Sequence, residues 1–229
     1  MKSPKFNSAS LNPEKMPDHI EPPPGRVESA PQILIALREA TGQTHKAVEK
    51  LTPFFQAGFN RQSYLRWLDL MNGFYRVVDR TVDRSSFITE CSWHYAVRCE
   101  LIAQDLAYLA DRAPEEPADT TGILGPLQTI RTSGEVAGML YVVEGSSLGG
   151  KVLLAVLGKS AGVTATAGAS FFAPNGNNPQ PRWSEYVQLL KNLTSKPGNE
   201  RDVLHGAKTT FTVLHDWILE KWISKPVTV

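Results

Sequence analysis

The chain has 229 residues, 41% of them hydrophobic and 21% charged, a balance typical of a soluble globular domain long enough to bury a core. Its formal net charge of +1 argues against a nucleic-acid partner held by bulk charge. No apolar run approaches the roughly 20 residues needed to cross a bilayer, and two cysteines without a charged-then-apolar leader point to a reduced, cytoplasmic protein.

Residues 1–30 are expected to form a separate, flexible extension. Seven of the 16 prolines fall by Pro31, with Pro22, Pro23 and Pro24 in a row, and so little apolar content cannot offset the entropy of ordering. Residues 31–229 read as one helical domain. In PQILIALREATGQTHKAVEKL, Ile33, Leu34, Leu37, Val48 and Leu51 are spaced for one buried helix face. A second helix runs from Arg61 to Arg84, with Tyr64, Leu65, Leu68, Met71, Phe74, Tyr75 and Val78 on its apolar side. A third is expected over Trp93–Arg112, stopped before Pro114, with Cys91 and Cys99 on one helix and too far apart along it for an easy disulfide. A short helix follows at Leu124–Thr132, with Pro126 in its first turn. Then come a long apolar segment, Glu135–Leu157, closed by Gly158, a loop containing PNGNNPQP, and helices over Trp183–Leu193 and Glu200–Trp222. No alternating runs joined by hairpin turns occur. The fold class is all-α.

The stretch YVVEGSSLGGKVLL, residues 141–154, contains G-x-x-x-x-G-K, most of a nucleotide-phosphate loop. Such a loop needs a strand before it and a parallel sheet behind it. The preceding segments are helical, and Val152 stands where a Mg²⁺-binding Ser or Thr would be required. The phosphate-loop reading fails on context and on one ligand. On a helix, Gly134, Gly138, Gly145 and Gly149 fall instead within a stripe about 60° wide. Each glycine costs up to ~1 kcal/mol relative to alanine inside a helix. Two explanations stay open: close packing of another helix, or a flat ligand laid against bare backbone, with Gly145-Ser146 and Gly149-Gly150 letting the helix bend over it.

The first helix bears on that choice. His45 shares a face with Arg38, seven residues earlier, and Glu49 follows one turn later. A helix histidine is most often a surface or satisfied core residue, and Arg38 and Glu49 can be read as ordinary solvated charges. A metal-binding histidine, however, wants a carboxylate to orient its ring. A guanidinium about 10 Å along the axis suits a carboxylate at the edge of a flat ligand.

These segments resemble the haem oxygenases. LREATGQTH with HKAVE is similar to the family's proximal helix, and GMLYVVEGSSLGGKVL resembles its kinked, glycine-rich distal helix. FFAPNGNNPQPRW and AKTTFTVLHDW resemble the bacterial branch, especially members that supply biliverdin to phytochromes. The likeness spans roughly residues 30 to 224. It implies haem as both cofactor and substrate, cleaved with O₂ and electrons from an external donor, such as a ferredoxin or a reductase, to biliverdin, CO and ferrous iron. By that resemblance His45 is the axial iron ligand and Arg38, Glu49, Tyr141, Gly145, Gly149 and Gly150 are haem-binding. Gly145, Ser146 and Gly149 are the catalytic positions it implies: the two glycines steer oxygen sideways toward a meso carbon, and Ser146 stands on the proton-delivery path. A phytochrome is the implied biliverdin acceptor.

Two departures stand out. Mammalian-type members carry an Asp where this chain has Ser146, so proton delivery is expected through ordered water. Gly42 stands where some members place a second propionate-binding Lys, leaving Arg201 or Lys208 as candidates. Two other functions on the same helical scaffold are a haem carrier or sensor without turnover, and an interaction domain whose glycine stripe merely packs a neighbour. Paired Glu-x-x-His motifs for a di-metal site and a cysteine with an evident base do not occur.

Overall fold

The computed structural model describes residues 31–115, 119, 122–176 and 178–224. The extension expected over residues 1–30 lies outside the described residues. Seven α-helices are described: α1 (Gln32–Leu51), α2 (Arg61–Arg84), α3 (Phe87–Cys91), α4 (Arg98–Ala110), α5 (Ser133–Ser160), α6 (Gln180–Thr194) and α7 (Asn199–Ile218). Short 3₁₀ turns at Gly125–Thr129 and Ser170–Phe172 interrupt the connections, and a π-turn, Leu219–Ile223, continues α7. Among the described residues there is no β-strand, only isolated bridges around Thr164 and Pro174.

Local chemistry sets the helix boundaries. Asn60 caps α2 by accepting the Ser63 amide at 3.1 Å, satisfying a donor that the helix start leaves free. Thr132 and Glu135 form a reciprocal capping box at the head of α5. The centre of the fold is α5, packed chiefly on α7, while α1 packs on α7 and α2 on α4. Leu37, Tyr64, Leu68, Val78, Ile102, Leu106, Met139, Leu140 and Trp217 are fully buried between these layers. Buried polar handles find backbone partners: Trp217 Nε1 donates to the Leu70 carbonyl at 2.9 Å and the Tyr64 hydroxyl to the Gly168 carbonyl at 3.0 Å.

Three expectations change. The helix expected from Trp93 starts only at Arg98, as α4, because Ser92 ends α3 in a left-handed conformation (φ 48°) and residues 93–97 are non-helical. Cys91 and Cys99 therefore sit on different helices, both as free thiols. The segment expected as a short α-helix at Leu124–Thr132 is a single 3₁₀ turn. By length and composition α5 is apolar enough to cross a bilayer, contrary to the sequence expectation. Its first half, through Glu144, is mostly buried in the core, where α5 packs on α7, α6 and the Ser170–Phe172 turn, whereas Val152 in its second half is 52% exposed.

Candidate active site

The glycines of α5 divide into two groups with different surroundings. A Cβ on Gly138 would stand 2.0 Å from the Val203 carbonyl oxygen and 2.7 Å from the Ala207 amide, and one on Gly134 would stand 2.8 Å from the Asp202 Cβ. Gly206 of α7 returns the contact, since its Cβ would lie 1.9 Å from the Glu135 carbonyl oxygen. The first half of the stripe is thus a helix-on-helix seam in which backbones touch. Two turns further on, a Cβ at Gly145 would meet only the Trp183 indole, at 3.7 Å, and one at Gly149 would meet nothing within 4 Å. Gly150 faces the other way, toward the Phe172 carbonyl oxygen, 2.2 Å from where its Cβ would be. Gly150 is therefore explained by packing, and Gly149 is not.

The bare half of the stripe begins where α1 meets α5. A side-chain hydrogen bond joins Tyr141 of α5 to Thr41 of α1, and Thr41 donates to the Leu37 carbonyl at 2.7 Å. Burial pushes the Tyr141 hydroxyl above its ordinary range, opposed by the nearby Arg38 charge and by the Thr41 bond. Four residues beyond this contact, on the same face of each helix, come His45 on α1 and Gly145 on α5. Arg38 and Thr41 of α1 thus lie close to Tyr141 of α5, with His45 one turn beyond Thr41 on α1 and Gly145 one turn beyond Tyr141 on α5.

His45 is held but not consumed by the protein. Its side chain is 51% exposed, and its ring packs edge-on against Phe211 of α7, with centroids 5.4 Å apart. Its Nε2 comes no closer than 3.7 Å to Glu49 Oε1, beyond hydrogen-bond length. Glu49 therefore stands at the distance of an orienting charge, with the ring free to turn a nitrogen toward a ligand. Ser146 is exposed at the bare end of α5; its hydroxyl donates to the Val143 carbonyl at 2.7 Å and is hydrogen-bonded to Tyr75 of α2. Burial raises the Tyr75 hydroxyl above its ordinary range, while Arg98 and the Ser146 bond pull it down.

Behind this surface is a polar cluster made of residues other than the candidates named from the sequence. Glu144, 2% exposed, lies 3.8 Å from Arg98 of α4 and 3.5 Å from Arg182 of α6. Arg182 stacks over the Trp93 ring at 3.5 Å and donates to the His94 carbonyl. Below it, Asp79 accepts from the Tyr95 hydroxyl at 2.5 Å and from the Cys99 amide at 2.9 Å. A charge in the middle of an apolar helix must find partners or neutralise, so the one carboxylate between Val136 and Leu157 carried the signal for this cluster. Of the remaining candidates, Arg201 is 88% exposed beside Asp202, and Lys208 lines a surface hollow of α7 with Leu204 and His205.

The residues fit a flat ligand with an acidic edge: open ground beside Gly149, an available imidazole on α1, and Arg38 close to the helix crossing. Comparison with known proteins agrees. The haem oxygenase family model matches residues 32–220. Among solved structures, the fold is similar to the haem oxygenase of Neisseria meningitidis, described in its NO- and CO-bound forms, with 22% identity over 82% of this chain and 91% of that one (TM-score 0.63). It is similar to a haem oxygenase from Leptospira interrogans, at 19% identity over 82% and 98% of the two chains (TM-score 0.68). It also resembles haem oxygenase-1 of the cyanobacterium Synechocystis in complex with haem, at 14% identity over 84% and 93% (TM-score 0.65). No curated protein sequence matches the chain. With a family match running from the head of α1 past the end of α7, the chain belongs to the haem oxygenase family and is a haem-degrading enzyme.

Proposed function

We propose that the protein cleaves haem with O₂ and reducing equivalents to biliverdin, CO and ferrous iron, using the crevice between α1 and the second half of α5. The observation that carries this reading is Gly149: a helix-interior glycine with no protein atom near its missing side chain, at a position where alanine would be the more stable choice. The haem iron, once bound, supplies the oxygen-activating chemistry.

Each side chain has a part that follows from its surroundings. His45 would hold the haem iron through a ring nitrogen, steadied by the Phe211 edge and oriented by Glu49. Arg38 pairs with an acidic substituent at the ring edge, and Tyr141, whose hydroxyl is bonded to Thr41, packs beside it. Gly149, and Gly145 at the edge that Trp183 covers, would let a bound plate approach the α5 backbone closely, leaving little room for a ligand to stand upright on it. Ser146 carries no charge, and its hydroxyl pair with Tyr75 holds the water through which a proton arrives. Electrons come from an external donor such as a ferredoxin or a reductase.

Two free cysteines support a reducing, cytoplasmic setting. The likeness of FFAPNGNNPQPRW and AKTTFTVLHDW to the bacterial branch supports a phytochrome as acceptor of the biliverdin.

The test is a haemin titration of the purified protein, followed by ascorbate or reduced ferredoxin under air with catalase present. The expected result is a one-to-one Soret complex, lost in His45→Ala, that bleaches into a broad red biliverdin band. A stable complex that never bleaches with several donors would make the protein a carrier.

A further inference from the structure

The bare end of the stripe is lopsided. At Gly145 an added Cβ would lie 3.7 and 3.8 Å from Cζ3 and Cη2 of Trp183, while one turn away at Gly149 it would meet nothing within 4 Å. The Trp183 indole therefore covers one end of the open ground and leaves the other uncovered. It is braced from behind: its ring centroid is 5.8 Å from Tyr141 and 5.9 Å from the fully buried Tyr186.

The residue next to it in the chain is clamped. Arg182 lies between the Trp93 ring and the Glu144 carboxylate, and also donates to the His94 carbonyl. Glu144 immediately precedes Gly145, and its other oxygen faces the buried Arg98. A buried carboxylate with two guanidiniums is seldom the cheapest way to stabilise a core. What it provides here is registration, because it ties α4, α5 and α6 at the turn of α5 that carries the first bare glycine. The Nε and Nη2 atoms of Arg98 and Oε2 of Glu144 have no hydrogen-bond partner, so the cluster is held by charge and by fixed helices, not by a saturated network.

We propose that Trp183 is a specificity-determining residue: its indole is the wall that sets how haem sits in its own plane, and so which meso carbon is lost as CO. Glu144 and Arg182 are the positioning residues that hold the wall against Gly145. The inference rests on the oxygenase reading and deepens it. Haem has near four-fold symmetry in its plane, and its orientations differ only in small edge substituents and in where the propionates point. Arg38 attracts the acidic edge but does not bar the neighbouring seats. A rigid indole across one end does bar them, and a tenfold preference corresponds to only about 1.4 kcal/mol, well within the reach of a bulky aromatic contact.

The test compares wild-type protein with Trp183→Ala, Trp183→Phe and Glu144→Gln. Two readouts are taken on each: the haem methyl resonances of the ferric cyanide complex, which report seating without turnover, and the biliverdin isomers separated after turnover. Wild type and Trp183→Phe are expected to show one dominant methyl pattern and one dominant isomer. Trp183→Ala and Glu144→Gln should show a second methyl pattern and at least a tenfold fall in the isomer ratio. A Trp183→Ala protein that binds haem one-to-one with wild-type methyl pattern and isomer ratio overturns the proposal. If the alanine variant loses its helical circular dichroism, Trp183→Leu is judged by the same criterion. A wild type that seats haem in one orientation without turning it over sinks the oxygenase reading, while the methyl patterns still decide the role of Trp183.

Discussion

Replacing Gly149 with alanine should have opposite effects on the protein with and without haem. No atom lies within 4 Å of the added Cβ, so without haem the methyl group costs nothing in packing. Alanine is the better helix former by up to ~1 kcal/mol, and for a domain of this size each kcal/mol moves Tm by about 2–4 °C. Apo Gly149→Ala is therefore expected to melt a few degrees higher than wild type. With haem the sign reverses. A plate lying at carbon–carbon contact distance from bare backbone, about 3.5–4 Å, has no room for a methyl group beneath it. Overpacking of that kind costs about 1–3 kcal/mol, or roughly 5- to 150-fold in Kd. The control is Gly138→Ala, whose Cβ would be driven to 2.0 Å from the Val203 carbonyl oxygen; it should lower the apo Tm by several degrees. Thermal melts and haemin titrations on the three proteins decide the matter. An apo Gly149→Ala that melts below wild type, or one that binds haem with undiminished affinity, would refute the argument that this glycine is kept for a ligand.

Other substitutions test separate parts of the reading. Glu49→Gln should keep the one-to-one complex but alter its axial ligation, visible as a shifted ferric spin-state balance, because the ring of His45 loses its orienting charge at 3.7 Å. Tyr75→Phe removes the hydroxyl partner of Ser146; haem affinity should hold while the rate of haem loss under reductant falls about tenfold or more, with unchanged rate counting against a proton route through this pair. Thr132→Ala breaks the capping box of α5 and the 3.0 Å bond to Asp202, and should cost about 0.5–2 kcal/mol in urea denaturation.

Much of this molecule is legible in its sequence because helix periodicity is local. The apolar faces of α1 and α2 mark their burial directly, and the boundaries of α1 and α2 match the described elements to within a residue. The break after Cys91 was not legible. It hinges on Ser92 at positive φ, where the residue carries no glycine or proline to announce the turn. The stripe of α5 shows a deeper limit. Gly138 and Gly149 obey the same spacing and meet the same requirement, the absence of a Cβ, yet one touches another backbone and the other touches no protein atom. Periodicity reports that a side chain is unwelcome and does not say what excludes it. That information lies on distant elements, on Val203 and Ala207 in one case and on empty space in the other. Glu144 illustrates the reverse situation. A carboxylate set in an apolar helix demands cationic partners on physical grounds, so their existence could be inferred from the run VAGMLYVVEGSSLGG alone. Their identities could not, because Arg98 and Arg182 lie on other helices and reach it only once α4, α5 and α6 have packed. Trp183 acquires its position over Gly145 from the same tertiary arrangement. The candidate residues on α1 and α5 are thus written locally, and the neighbours they meet on α6 and α7, Trp183 and Phe211, are set by the packing of those helices.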